Sequence, residues 1–219
     1  MKVAIDGFSA CGKSTLAKSL AKFLDATYID TGAMYRAVTW YFLKRKIDIT
    51  SERDVAKALR SIDIQFDTRD GKNDCILNGQ NVEEIIRGHE INDFVSEVAA
   101  ISTVRRWMVD LQREMGENDS VVMDGRDIGT VVFPLADHKF FITADPGVRA
   151  KRRLKEYQAK GVEANLEDIK ENLAKRDHID STREDSPLRE AADSIRIDNS
   201  ELSRKEQFDL VKGYISESQ

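Results

Sequence analysis

The chain has 219 residues, of which 41% are hydrophobic and 33% are charged, with only three prolines. This composition is typical of one globular, helix-rich domain and excludes disordered, collagen-like and disulfide-scaffold proteins. The formal net charge of −5 argues against a non-specific nucleic-acid binder, and no stretch reaches the ~20 apolar residues that a membrane-spanning helix needs.

The N-terminal part of the chain alternates between strand and helix patterns. Residues 2–6 (KVAID) are an apolar run that predicts a buried parallel strand, and residues 13–24 carry apolar side chains at helical spacing. A second strand is predicted at Tyr28–Ile29, and helices are predicted at 32–46 and at 51–60, where Ser51 is the N-cap. The N-terminal segment lacks the apolar core of a secretory signal, so we expect a cytoplasmic protein.

Helical spacing of apolar side chains also predicts part of the core. The positions that this pattern assigns to packing include Leu16, Leu20, Phe23, Trp40, Val98, Ile101 and Trp107. Cys11 and Cys75 lie far apart with no CxxC pair, which argues against a zinc site and against a disulfide framework.

The pattern changes between residues 62 and 87. Residues 62–66 (IDIQF) alternate apolar and polar side chains, and Asp70-Gly71 and Asn78-Gly79 are turn dipeptides. Asn-Gly between apolar alternations is the strongest short-range signal of a hairpin. We therefore predict a small antiparallel meander inserted at 62–87.

Strand and helix patterns resume after this insert. The predicted elements are a helical region at 89–115, strands at 121–124 and 139–144, helices at 146–159 and 165–178, a strand at 194–198 and a helix at 204–216. Strands that alternate with helices predict an α/β fold, with a parallel sheet covered by helices on both faces.

Residues 7–14 (GFSACGKS) fit the phosphate-loop pattern G-x-x-x-x-G-K-[ST]. The glycines let the backbone curl so that successive N–H groups point at phosphate oxygens, and the following helix directs its positive end there. Lys13 is predicted to reach the β- and γ-phosphates, and Ser14 to offer its hydroxyl to Mg²⁺. The motif lies between a predicted strand and a predicted helix, as this chemistry requires.

Polar residues follow two other predicted strands, where parallel folds bind ligands. The segment 30–36 (DTGAMYR) follows the second strand, and Asp124-Gly125-Arg126-Asp127 follows the strand at 121. Asp124 suits a water-mediated ligand of Mg²⁺, although a helix or turn cap is an alternative role. A surface ion pair between Arg126 and Asp127 is an alternative to their binding substrate.

A third polar cluster comprises Arg176, Asp180 and Arg183, which are spaced to share one helical face. Such a face binds an anion or is a solvated salt-bridge surface, and the spacing alone leaves both interpretations open. The chain carries no N-K-x-D base-reading motif of GTPases and has little room for the added domains of motor ATPases. A small-molecule kinase is therefore the favoured class.

Six segments together resemble the bacterial cytidylate kinase family. They are GFSACGKST, DTGAMYR, SEVAAISTVR, DGRDIGTVVFP, RAKRR and RDHIDSTR, and the similarity extends over residues 3–213. The resemblance implies a P-loop NTPase-type three-layer α/β/α fold with a central five-stranded parallel sheet. It further implies one kinase domain (1–219), a CMP-binding domain at 31–100 that contains the insert, and a lid at 149–165.

The resemblance also implies substrates and residue roles. ATP with Mg²⁺ would be the phosphoryl donor and CMP or dCMP the acceptor. Independently of the resemblance, nothing in the sequence demands an oligomer, so we expect a monomer, without nucleic-acid or membrane partners. Donor-binding residues would be Gly7, Phe8, Ser9, Ala10, Cys11, Gly12, Lys13, Ser14 and Thr15, with Arg149 and Arg153 in the lid. The residues around the cytosine would be Thr31, Ser96, Arg105 and Asp127, and Tyr35 would line the CMP pocket. The CMP phosphate would be held by Arg36, Arg126 and Arg183, and the ribose would lie near Arg176 and Asp180. Lys13, Arg126, Arg149, Arg153 and Arg183 would be catalytic, and Ser14 and Asp124 would hold the metal.

Three other functions are weighed against this one. A kinase of the same fold could act on UMP or on a non-nucleotide metabolite. An ATP-sensing module without phosphoryl transfer would be expected to have lost Lys13 or the acceptor arginines, and both are present. A nucleic-acid-binding protein that uses the basic segment RAKRR is disfavoured by the acidic net charge and by the lack of interleaved aromatic residues.

Overall fold

The computed structural model describes residues 1–69, 73–117 and 119–217. Its central sheet has five parallel strands: β1 (Lys2–Gly7), β2 (Thr27–Asp30), β6 (Val121–Gly125), β7 (His138–Thr143) and β8 (Ile195–Asp198). They lie in the order β2-β6-β1-β7-β8, so β1 occupies the centre of the sheet. The phosphate-loop segment therefore leaves the middle of the sheet at its carboxyl edge.

The eight helices of the described residues are α1 (Lys13–Leu24), α2 (Thr31–Arg45), α3 (Glu52–Leu59), α4 (His89–Ala100), α5 (Ser102–Met115), α6 (Pro146–Ala159), α7 (Leu166–Thr182) and α8 (Arg204–Glu217). The helices cover both faces of the sheet and form a separate hydrophobic core on each face, because alternate residues of β1 point to opposite faces. Val3 and Ile5 pack with α1 and α8, while Ala4 packs with α2, α3 and α5. This is the predicted α/β/α arrangement.

The predicted insert is a three-stranded antiparallel sheet of β3 (Ile64–Asp67), β4 (Asp74–Leu77) and β5 (Gln80–Asn81). Asn78 and Gly79 both have positive φ, 49° and 76°, and close the two-residue turn between β4 and β5. The Asp70-Gly71 turn lies outside the described residues. A short 3₁₀-helix, Ile85–Arg87, leads from the insert into α4.

The helical region predicted at 89–115 contains two helices, α4 and α5, because Ile101 adopts an extended conformation between them. Two sequence predictions need correction. Phe23 was assigned to the core, but 44% of it is exposed, and its ring meets Phe208 edge-on at 6.0 Å. The helix predicted to end at 178 continues to Thr182.

Two further features complete the fold. A π-helical turn at Ile128–Val132, which no sequence pattern predicted, follows β6. Trp40 and Trp107 are partly buried and pack against the core, as predicted. Within the described ranges, none of the helices has the length and apolar character needed to cross a membrane.

Candidate active site

A cleft of about 280 Å³ opens at the carboxyl edge of β1, β2 and β6. Helices α4, α5, α6 and α7 complete its walls. The predicted site residues that line it are Ser9, Ala10, Cys11, Gly12, Lys13, Ser14, Thr15, Thr31, Tyr35, Arg36, Ser96, Arg105, Asp124, Arg126, Asp127, Arg153, Arg176, Asp180 and Arg183. Segments up to about 170 residues apart in the chain thus meet in one place.

The phosphate loop joins β1 to α1 and supplies one wall of the cleft. Gly12 precedes the helix with φ of 97°, a left-handed conformation that glycine adopts without strain. The Lys13 ammonium is buried and donates to the Phe8 carbonyl at 2.7 Å. Burial lowers the pKa of Lys13, and the nearby Arg126 adds to this effect. A buried cation beside a helix N-terminus favours the binding of an anion.

Asp124, at the end of β6, lies beside the loop. Its carboxylate accepts from the Ser14 hydroxyl at 2.8 Å and from the Tyr28 hydroxyl at 2.7 Å. Burial, followed by the charge of Asp30, raises the pKa of Asp124. These contacts are made to side chains at the sheet edge, so the alternative role of Asp124 as a helix cap is wrong.

The Ser14–Asp124 pair fits a magnesium ion. Mg²⁺ prefers hard oxygen ligands and usually takes only one or two carboxylates, its other ligands being water and substrate phosphates. Residues 1–69, 73–117 and 119–217 contain no cluster of three side chains that could hold a metal by themselves. A hydroxyl and a carboxylate 2.8 Å apart at the phosphate loop match that partial donor set.

Arg105 and Asp127 form an ion pair deep in the cleft. Their side chains are 1% and 3% exposed, and the Arg105 guanidinium lies over the Tyr35 ring, 4.9 Å from its centre. Arg126 does not contact Asp127 through its side chain as the surface-pair interpretation required, because it binds Asp180 instead. Arg105 Nε has no hydrogen-bond partner in the described part of the chain. This unpaired buried donor indicates a position for a polar ligand.

Asp180, on α7, connects two arginines that the sequence analysis placed in the site. It accepts from Arg126 Nε at 2.9 Å and lies 3.4 Å from Arg183 Nη1. Arg126 also donates to the Ser9 hydroxyl of the phosphate loop at 2.7 Å. Although burial raises the pKa of Asp180, Arg126 and Arg183 outweigh it and hold that pKa below its usual range. The carboxylate therefore stays ionised and keeps both guanidinium groups aimed at the cleft.

Two other arginines lack any such carboxylate. Arg36 and Arg176 line the cleft, and no acidic side chain among the described residues comes within 4 Å of either guanidinium. Arg36 Nε donates to Asn92 at 3.3 Å, and Arg176 Nε donates to Ser96 at 3.4 Å. Burial and neighbouring arginines lower the pKa of both, to about 10 for Arg176. Buried cations that no carboxylate contacts directly indicate that an anionic ligand completes the site.

Sequence reasoning missed Arg87 and Asn92. Arg87 follows the small sheet and binds Asp30 at 2.8 Å and Glu83 at 2.7 Å, which ties the insert to the start of α2. Both missed residues line the cleft. Neither falls in a recognisable motif, so only the fold reveals them.

Three predicted residues do not line the cleft. Gly7 lies in β1, and a Cβ atom there would come within 1.9 Å of the Ile142 carbonyl oxygen, so only glycine fits. Phe8 packs edge-on against Phe141 at 6.0 Å, and the Arg149 guanidinium lies 5.2 Å from the Phe8 ring centre. Arg149 thus contacts the phosphate loop without lining the cleft.

Asp6 is a buried carboxylate that the sequence analysis did not single out. Its two oxygens accept from the backbone N–H groups of Ile128 and Gly129 at 2.8 and 2.7 Å. These residues begin the π-helical turn that directly follows Arg126 and Asp127. Burial raises the pKa of Asp6 from its ordinary 3.8 to about 7, because the two backbone donors only partly offset the loss of water.

The raised pKa of Asp6 predicts a pH dependence of stability. Between about pH 4 and 7 the folded protein holds this proton more tightly than the unfolded chain does, so the contribution of Asp6 to the free energy of unfolding falls as the pH rises. Asp6→Asn removes this titration. The wild type should therefore lose stability relative to the variant as the pH rises. We expect the unfolding free energy of the variant, minus that of the wild type, to increase by up to about 4 kcal/mol between pH 4 and pH 7.5.

Urea denaturation at a series of pH values measures this difference. The exposed Asp110, changed to asparagine, is the control, and its difference from the wild type should vary little over the same range. A flat difference for Asp6→Asn would contradict the raised pKa.

Comparison with known proteins identifies close relatives over nearly the whole chain. The family model described as cytidylate kinase matches residues 3–217. The cytidylate kinase of Parabacteroides distasonis is 53% identical over 210 residues, covering 94% of this chain and 92% of the relative. That of Flavobacterium johnsoniae is 50% identical over 214 residues, covering 95% and 93%.

Solved structures with lower identity share the fold. A shikimate kinase from Bacteroides thetaiotaomicron superposes with a TM-score of 0.52 at 14% identity, covering 99% of this chain and 98% of that one. A shikimate kinase from Acinetobacter baumannii has the same TM-score at 12% identity, with coverages of 100% and 94%. At these identities the likeness concerns the fold alone.

Proposed function

The chain belongs to the cytidylate kinase family, and from that premise we propose that it transfers the γ-phosphoryl group of ATP to CMP or dCMP, giving ADP and CDP or dCDP. The observation that carries this proposal is the pair Arg36 and Arg176, which lie in the cleft beside the phosphate loop without an acidic partner among the described residues. Two phosphate-bearing substrates would supply the missing negative charge.

The charge of the cleft supports phosphoryl transfer between two anions. Nine cationic and five acidic side chains line it, although the whole chain has a net charge of −5. A phosphate monoester has a second pKa near ~6, so the CMP phosphate is largely dianionic at neutral pH and needs no general base. The barrier is the repulsion between the substrates, and arginines offset it because they stay charged and bind phosphate through two N–H groups.

We assign the acceptor side by region. The base would be bound by Thr31, Ser96, Arg105 and Asp127, with Tyr35 lining the pocket. The phosphate would be bound by Arg36, Arg126 and Arg183, and the ribose would lie near Arg176 and Asp180. The unpaired Arg105 Nε supports a polar ligand in the base pocket. Asp127 can accept from the 4-amino group of cytosine, whereas it would repel the carbonyl that uracil carries there.

On the donor side, the ATP phosphates would be bound by the loop residues Ser9–Thr15, Lys13 among them. Arg153 would bind them as well. Ser14 and Asp124 would hold Mg²⁺, which when bound to ATP neutralises charge on its β- and γ-phosphates. Arg149, predicted to be catalytic, would act from behind the loop: it donates to the Ser9 carbonyl at 3.4 Å and pairs with Asp177 at 2.7 Å.

The same proposal divides the chain into functional regions. Residues 31–100 would form the CMP-binding region with its inserted sheet, and 149–165 would form a lid that excludes water when both substrates are bound. A monomer would be the catalytic unit.

A coupled assay of ADP release tests the function directly. With ATP and Mg²⁺, the acceptors CMP, dCMP, UMP, AMP and GMP are compared side by side. We expect turnover confined largely to CMP and dCMP. Preference for UMP would identify a kinase of the same fold with another acceptor, and absence of turnover with every acceptor would reject the proposal.

Arg183→Ala tests the acceptor phosphate site. Arg183 is buried and is held by the Ser186 carbonyl at 2.8 and 3.0 Å, so it has one available orientation. We expect the KM for CMP to rise and kcat to fall, each about tenfold or more, while the KM for ATP stays within about twofold.

The matched control is Arg189→Ala, because Arg189 is exposed and only six residues away. It should leave all three parameters unchanged. Near-normal kinetics of Arg183→Ala would remove Arg183 from the phosphate site.

A further inference from the structure

Asn199 contacts the phosphate loop from the side opposite the cleft. It follows β8, is 4% exposed, and its Nδ2 donates to the Cys11 carbonyl at 2.7 Å across 188 residues of sequence. Its own backbone is fixed at both polar groups: the N–H donates to the Thr143 carbonyl at 2.8 Å, and the carbonyl accepts from Arg152 at 2.7 Å. The side-chain amide is therefore held in one position against the loop.

The contact controls the direction of one peptide group. The Cys11 carbonyl and the Gly12 N–H belong to the same planar peptide, in which they point in opposite directions. Fixing the carbonyl toward Asn199 thus fixes the Gly12 N–H toward the other side, and both loop residues line the cleft. Asn199 also fills the space behind Gly12, since a Cβ atom on that glycine would come within 2.7 Å of Nδ2.

We propose that Asn199 is a positioning residue of the donor site, which aims the Gly12 N–H at an ATP phosphate oxygen by holding the Cys11 carbonyl. This role rests on the proposed function, because it names a phosphate of ATP as the group that the N–H meets. Asn199 does not line the cleft and so acts only through the loop.

The amide of Asn199 is used as a donor. Its Oδ1 is buried and has no hydrogen-bond partner within the described ranges, although Nδ2 is bound to Cys11. A buried amide oxygen without a hydrogen bond destabilises the folded state. If Asn199 only filled space, an apolar side chain would therefore be more favourable at this position. An aspartate of the same shape would set oxygen against the Cys11 carbonyl oxygen and repel it.

The test compares Asn199→Ala and Asn199→Asp in the full chain. For Asn199→Ala we expect the KM for ATP and the Kd for ADP, measured by calorimetry without turnover, to rise about tenfold, with the KM for CMP within about twofold. Asn199→Asp should be at least as impaired, although it preserves the volume. If packing were the role of Asn199, Asn199→Asp would bind ADP like the wild type, and that result would overturn the proposal.

Ser200→Ala is the matched control, because Ser200 lies in the same turn and accepts from the Asp145 N–H at 2.8 Å without contacting the phosphate loop. It should leave the Kd for ADP unchanged. If Asn199→Ala and Ser200→Ala raised the Kd for ADP equally and lost equal thermal stability, the cause would be a general loosening of the turn, and the proposal would be overturned. Since ADP binding needs no acceptor, a wild type that binds ADP but does not phosphorylate CMP would reject the proposed acceptor and leave this test intact.

Discussion

Lys13→Ala is expected to lower kcat by about 10³-fold or more, the size of effect seen when a charge that stabilises a phosphoryl-transfer transition state is removed. The Lys13 ammonium is buried at the loop, donates to the Phe8 carbonyl at 2.7 Å and lies at the start of α1. In the proposed reaction, alanine removes the positive charge from the place where the charge of the transferring group develops. Single-turnover measurements with ATP and CMP would give the change in the chemical step.

The expected loss is specific to the donor side. CMP binding, measured by calorimetry, should remain detectable in Lys13→Ala, because the acceptor arginines come from other elements. The control is Lys22→Ala, an exposed lysine of the same helix, which should leave kcat unchanged. A kcat within tenfold of the wild type would show that Lys13 does not stabilise the transition state.

The elements that were correctly predicted are those whose cause is local in sequence. Apolar runs at 2–6 and 121–124 are buried on both faces, and this is the pattern of central parallel strands. Asn78-Gly79 predicted the hairpin because few other residues adopt two successive positive φ angles. The phosphate loop is likewise one continuous segment, and the spacing of its glycines and lysine predicts its conformation.

The pairing of side chains across the cleft could not be predicted in this way. Arg126 binds Asp180 over 54 residues, and Arg105 binds Asp127 over 22. The sequence alone made Asp127 an equally good partner for Arg126. The choice depends on which strand ends and helices the topology brings together, and hydrophobic periodicity carries no information about it.

Two residues lie where the sequence pattern did not indicate. Arg149 lies in the first turn of α6, directly after β7, so it contacts the phosphate loop at the Ser9 carbonyl without lining the cleft. Phe23 has helical spacing from Leu16, but the buried face of α1 is centred on Ala17, Leu20 and Ala21. Phe23 therefore falls at the edge of that face, where α8 covers only part of its ring.

The base pocket gives the second large expected effect. Asp127→Asn should lower the ratio of kcat/KM for CMP over UMP by about 10²-fold or more. An asparagine can accept from the 4-amino group of cytosine and can also donate to the 4-carbonyl of uracil, so it removes the repulsion that excludes uracil. The ratio should change mainly through a gain with UMP, measured in the ADP-release assay at low acceptor concentration.

The same substitution leaves the Arg105 guanidinium buried without its carboxylate. Breaking such a pair costs about 3–5 kcal/mol, so a lower melting temperature is expected along with the change in preference. Asp193→Asn helps to separate the two effects, because it takes a carboxylate from another buried cation, Lys139, which it contacts at 2.7 Å away from the base pocket. Since the Asp193 side chain is 67% exposed, that variant should lose less stability than Asp127→Asn, and it should keep its preference for CMP. If Asp193→Asn relaxed the preference equally, or if Asp127→Asn reduced CMP and UMP turnover in proportion, Asp127 would have no part in reading the base.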